Sequence, residues 1–291
     1  MKFKGELLIL MSSTGFSLMP IFAKLAYAGG ASTSTVLTFR FLFAFIMLWV
    51  YIFIRGYNYK VTSKQLKLLA VLGGLLYAGS ALTLFSSYKF ISAGLSEVLI
   101  FTYPAMVLVI SIIAYKEKLE LNKVFAIILS AIGTALVAYV PGQAFSLKGV
   151  GLALIAAFFY ALYVAFIGYK EFKSIHPVVM TGYVVLFAAI VFIIYGFING
   201  SVSFNFKASS WIYMLLLSFM STSMAILTFC QGSKMIGVTK ASIISTVEPV
   251  EAIIFGAVIL GERLTFYMIL GAIITIMAVI SIHIFKYNDM V

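Results

Sequence analysis

The chain has 291 residues, of which 63% are hydrophobic and only 10% charged, and its mean hydropathy is +1.14. No water-soluble domain hides that much apolar surface, so composition alone gives a polytopic membrane protein. The formal charge of +11 would point to nucleic acid in a soluble protein. Here the cations fall mostly between apolar runs, the signature of membrane topology, and no nucleic-acid partner is expected.

Apolar runs long enough to cross a bilayer core of ~30 Å occur at about 5–27, 33–55, 66–88, 92–114 and 121–140, then at about 146–168, 177–199, 210–233, 240–261 and 265–286. They are continuously apolar rather than alternating, which predicts helices and not a barrel. Ten such spans use up most of the chain and leave no room for a soluble domain. Lys2 and Lys4 followed by Leu7–Met11 look like the start of a signal peptide. Similar spans follow with no small-residue cleavage pattern, so this segment is read as the first span. The single cysteine, Cys230, permits no intrachain disulfide.

Lysine and arginine set the expected orientation. With the N-terminus inside, inner regions hold Lys2, Lys4, Arg55, Lys60, Lys64, Lys67, Lys116, Lys118, Lys123 and further lysines, against Lys24, Lys89, Lys148, Lys207 and Arg263 outside. That bias predicts a multi-pass protein of the plasma membrane with both termini cytoplasmic.

A shift of 145 residues places Leu82-Thr83 on Leu227-Thr228, Lys89 on Lys234, Ile91 on Ile236, Pro104 on Pro249, Glu117 on Glu262 and Leu119 on Leu264. Residues 1–141 and 142–291 are therefore read as two repeats. Five crossings per repeat is an odd number, so the halves enter the membrane with opposite polarity. The fold class expected is all-α, with ten transmembrane helices as two inverted five-helix repeats. In carriers built this way the substrate sits near the bilayer midplane, at the repeat interface.

The ninth span carries Ser245-Thr-Val-Glu-Pro-Val-Glu251. At ~1.5 Å per residue, Glu251 lies ~16 Å from both Lys240 and Glu262, near the midplane. A carboxylate at that depth costs several kcal/mol unless neutral, paired or hydrated. Glu248 and Glu251 are three apart and share a helix face. Together they read either as a proton- or cation-binding site or as carboxyls hydrogen-bonded to a neighbouring helix. Pro104 and Pro249 each free the carbonyl four residues earlier, of Ile100 and Ser245, giving a kink that shapes packing or opens beside a polar cavity. Arg40 and Glu97 lie at similar depths below the outer ends of the second and fourth spans. Arg40 pairs with Glu97, faces the cavity to hold a substrate carboxylate or phosphate, or snorkels to the outer interface.

Smaller polar groups inside spans include Ser12, Ser13, Thr14 and Ser17 in the first and Gln231 in the eighth, with Tyr77, Tyr103, Tyr160, Tyr163 and Tyr183 elsewhere. Hydroxyls and rings suit a small amphipathic metabolite, although Ser and Thr also serve ordinary helix packing. Gly73-Gly74 reads as close packing. His176 and His283 lie far apart, no metal-ligand cluster is evident, and there is no phosphate-loop motif or hydrolase elbow, so neither cofactor, metal nor enzymatic role is expected.

Phe101-Thr-Tyr-Pro104 followed by Lys116-Glu-Lys-Leu119, and Glu248-Pro-Val250 followed by Leu260-Gly-Glu-Arg-Leu264, resemble the paired signatures of the EamA branch of the drug/metabolite transporter superfamily. Thr38-Phe-Arg40-Phe and Phe22-Ala-Lys24 resemble it too, so the likeness spans nearly the whole chain as two tandem repeats. It implies a ten-helix carrier working by alternating access. Relatives move amino acids, nucleotide sugars, sugar phosphates, choline or other metabolites, many of the bacterial ones outward. Arg40, Glu248 and Pro249 match positions that family often keeps. Glu251 belongs less clearly to the pattern, and Lys116 stands where the second half has Gly261. The expected function is a secondary transporter, an exporter of an amino acid or derivative, coupled to protons through Glu248 or Glu251 and functional as a monomer in its lipid bilayer. The alternatives are a flippase for a lipid-linked head group and a membrane-embedded sensor.

Overall fold

A computed structural model of the chain describes residues 2–87, 90–91, 96, 99–116, 120–137, 139, 146–261 and 264–288. The first span divides into α1 (Lys2–Ser17) and α2 (Met19–Ala28), and the second is α3 (Thr33–Ile54). The third runs through α4 (Ser63–Ala70), a π-helical stretch at Val71–Tyr77 and α5 (Ala78–Ser87). The fourth contains α6 (Tyr103–Tyr115) and the fifth is α7 (Leu121–Val137).

In the second half, α8 (Leu147–Ile167) and α9 (Pro177–Ile198) are the sixth and seventh spans. The eighth joins α10 (Ser209–Ser218), a π-helical stretch at Phe219–Met224 and α11 (Ala225–Ile236). The ninth joins α12 (Val238–Ile244), a 3-10 turn at Ser245–Val247 and α13 (Glu248–Leu260), and the tenth is α14 (Phe266–Asn288). Among the described residues, 7 helical segments are long and apolar enough to cross a membrane. Tyr103–Tyr115, Leu121–Leu136 and Phe266–Ser281 are shorter apolar helices that complete the ten. Their outward faces carry exposed Ile54, Ile113, Phe197 and Val258, as a lipid-facing surface requires.

Helix starts follow local chemistry. The Ser32 hydroxyl accepts from Thr35 N–H at 3.2 Å, and Thr62 and Gln65 form a reciprocal capping box. Pro104, Pro177 and Pro249 all sit in the first turn of a helix, where the missing N–H has no helical partner to lose.

The 145-residue shift is visible in the backbone. It carries both ends of α6 onto both ends of α13, and the start of α7 onto the start of α14. Both α6 and α13 end on a left-handed residue, Lys116 (φ 54°) and Gly261 (φ 69°). Third and eighth spans each contain a π-helical stretch. Packing obeys the same symmetry. The first span lies along the eighth as the sixth lies along the third. The second packs on the seventh and the fifth on the tenth. Backbones meet closely at these seams: a Cβ on Gly73 would sit 2.3 Å from the Val184 carbonyl, and one on Gly133 2.7 Å from the Thr275 nitrogen.

One asymmetry stands out. Pro20 removes the N–H that would bond to Phe16, and Leu18 N–H reaches Thr14 O only at 3.4 Å, so the first span breaks where α8 runs through.

Candidate functional site

Arg40 is 3% exposed, so it does not snorkel to the interface. Its position on α3 points it at the π-helical stretch of the eighth span. Nε donates to Thr222 Oγ1 at 2.7 Å and Nη2 to the Ser221 carbonyl at 3.2 Å. The π turn explains the fit. Its widened winding lets the Thr222 and Ser223 hydroxyls bond back five residues, to Leu217 O at 3.1 Å and Ser218 O at 3.0 Å, while the Ser221 carbonyl turns to the guanidinium. Nη1 faces Met19 Sδ at 2.9 Å, just past the break in the first span. Glu97, the partner expected from sequence, lies outside the described residues.

Arg40 and Glu248 line one cavity with Tyr77, Tyr103, Tyr160 and Phe101, and Phe16 and Met19 close it from the first span. Its volume is about 70 Å³. The rings form a connected wall: Tyr103–Tyr160 centroids are 4.8 Å apart, Tyr77–Tyr163 4.9 Å and Tyr160–Tyr163 5.8 Å. Tyr103 also ties the fourth span to the ninth, its hydroxyl donating to Ser242 O at 3.3 Å.

The two ninth-span carboxylates divide their partners. Glu248 lines the cavity. Glu251, one turn on, turns to α1, where Thr14 donates to its Oε1 at 3.1 Å. Its Oε2 is buried with no hydrogen-bond partner among the described residues. Ser17 donates to Thr14 O at 2.9 Å, bracing that contact. The Ser245 carbonyl expected to be free is recaptured by Glu248 N–H in the 3-10 turn. Pro249 therefore follows a tightened 3-10 turn within one continuous helical span, and Pro104 stands at the matching place.

Other sequence candidates sit beside the cavity. Tyr163, a ring of that wall, is 1% exposed and its hydroxyl lies 3.9 Å from Cys230 Sγ. Gln231 is half-buried on α11 and is not among the residues lining this cavity. Sequence reasoning missed Phe16, Met19, Ser221 and Thr222. Their types carry no chemical signal, and only the π turn and the break bring them to Arg40.

A model of the EamA-like transporter family matches residues 3–139 and again 147–284. An uncharacterized transporter of Archaeoglobus fulgidus is 26% identical over 280 residues, 94% of this chain and 96% of the other. The uncharacterized transporter YoaV of Bacillus subtilis is 25% identical over 77% of each chain. A solved crystal structure superposes with a TM-score of 0.83 over 95% of this chain and 96% of its own, at 15% identity, a likeness of fold.

Proposed function

The chain belongs to the EamA-like transporter family, and from that premise we propose that it is a secondary transporter exporting a small zwitterionic metabolite, an amino acid or derivative, by alternating access. The observation that carries this reading is that Arg40 and Glu248, of opposite charge, line one cavity walled by aromatic rings. A guanidinium suits a substrate carboxylate in two parallel hydrogen bonds. A carboxylate and ring faces suit an ammonium group. At about 70 Å³ the cavity is too small for such a substrate, so binding requires the spans to part, as a carrier's cycle demands.

Both repeats supply cavity residues, so one chain holds a whole site. Both termini face the cytoplasm in this reading, and the membrane is the plasma membrane. Glu251 is the proposed proton carrier, because it joins the first span to the ninth through Thr14. Counterflow in proteoliposomes, screening amino acids and their amines, tests the proposal. Exchange of the preferred substrate should fall about ten-fold or more in Glu248→Gln, the loss expected when a charge-assisted contact is removed. Glu251→Gln should retain counterflow and lose pH-gradient-driven accumulation. Unchanged exchange in the first variant would move the site away from Glu248. Unchanged gradient-driven flux in the second would remove the coupling role.

A further inference from the structure

A second cavity, sharing no lining residue with the first, opens where five spans end together. Its volume is about 600 Å³, and it is bounded by Tyr115 at the end of α6, Lys123 on α7, Gly168 after α8, Lys173, and residues Ser233–Lys240 around the turn between eighth and ninth spans. Four lysines line it, Lys123, Lys173, Lys234 and Lys240, against one carboxylate, Glu120. Glu120 pairs with Lys123 at 3.0 Å, and Glu6 of α1 reaches Lys240 from outside the lining. Lys234 is held differently. Its ammonium donates to two neutral carbonyls, Phe172 O at 3.0 Å and Ile175 O at 2.7 Å, which fix its position without cancelling its charge. Among the described residues the lining therefore keeps an excess of positive charge.

Position and surroundings narrow the ligand. The cavity sits at helix ends, the depth of lipid phosphates rather than of the hydrocarbon. The neighbouring surface of α6 and α7 is apolar, with Val109, Ile113, Leu121, Phe125 and Ile128 exposed. Several ammonium point charges around one space suit a phosphate, whose oxygens accept from several donors at once. Basic pockets between spans bind anionic head groups by this chemistry. We propose that this vestibule is a phosphate-binding site separate from the central cavity, filled by an anionic lipid head group or by a soluble phosphate-bearing anion.

The test uses the full chain in nanodiscs, with unfolding followed by tryptophan fluorescence. One arm compares phosphatidylcholine discs with discs doped with phosphatidylglycerol. The other adds inorganic phosphate to phosphatidylcholine discs. The proposal expects a rise in Tm in at least one arm, and which arm responds identifies the source. Lys173→Gln, in an exposed loop, and the double variant with Lys123→Gln should weaken the apparent affinity about five-fold per lysine removed. Lys60→Gln, exposed and away from the cavity, should leave it unchanged. No rise in either arm with folded wild type overturns the proposal, and so does an undiminished response in the double variant.

Discussion

Lys116 is the one described non-glycine residue with positive φ, and it ends α6 where Gly261 ends α13. A side chain in that left-handed conformation costs roughly 1–2 kcal/mol. A cation at a helix C-terminus returns about 0.3–1 kcal/mol. Lys116→Gly should therefore stabilise the protein by up to about 1 kcal/mol, read as a higher midpoint of thermal unfolding, and a lower midpoint would contradict the strain. The sequence alignment exposes the mismatch between these positions, but only the backbone angle gives it a meaning. His176 makes a different residue-scale case. It lies just outside the seventh span, where its Nδ1 accepts from Val178 N–H at 3.3 Å. Desolvation, and then the charge of Lys234, hold the imidazole below its ordinary pKa. Folding therefore favours the neutral ring. The stability it confers is present above about pH 6.5, the unfolded value, and is lost as pH falls through the folded value. The ring is exposed, so the effect is capped by the value of the helix cap, about 1 kcal/mol. His176→Asn keeps an accepting cap and no titration, so its stability should be flat across that window where the wild type declines. A parallel decline in both proteins would assign the pH response elsewhere.

At the scale of elements, the first span departs from its symmetry mate, and it is tied to the ninth at two heights. Glu6 on α1 pairs with Lys240 on α12, and Thr14 donates to Glu251 on α13. If Thr14 and Glu251 act as one contact, Thr14→Val and Glu251→Gln are not additive. A double-mutant cycle on unfolding should give a coupling of about 1 kcal/mol. A coupling near zero would mean that the hydroxyl and the carboxylate merely lie near each other. Much of this scale is legible in the sequence: the apolar spans, the repeat offset, and Gly73-Gly74 as a packing seam. The π-helical stretches are not, because Val71–Tyr77 and Phe219–Met224 share no composition and their winding is set by what packs against them. The division between Glu248 and Glu251 is also hidden. Spacing puts both on one face of an ideal helix, and the neighbouring spans decide which meets the cavity and which meets Thr14.

For the molecule as a whole, inverted repeats make the two membrane faces structurally equivalent, so the fold alone does not say which face is cytoplasmic. Charge breaks the tie. The loop between second and third spans and the first turn of α4 carry Arg55, Lys60 and Lys64, whereas the loop between seventh and eighth, residues 199–208, carries Lys207 as its sole cation. Basic segments are retained on the cytoplasmic side during insertion, which predicts Lys60 inside and Asn205 outside. Both positions are exposed, and the native Cys230 is buried, so single-cysteine reporters can be added with little background. On intact cells, a membrane-impermeant maleimide should label Asn205→Cys and spare Lys60→Cys until the membrane is permeabilised. The reverse pattern would invert the topology. It would turn the lysine-lined vestibule toward the outside, where the anionic lipid of the inner leaflet cannot reach it, while leaving the central cavity and its two opposite charges as they are.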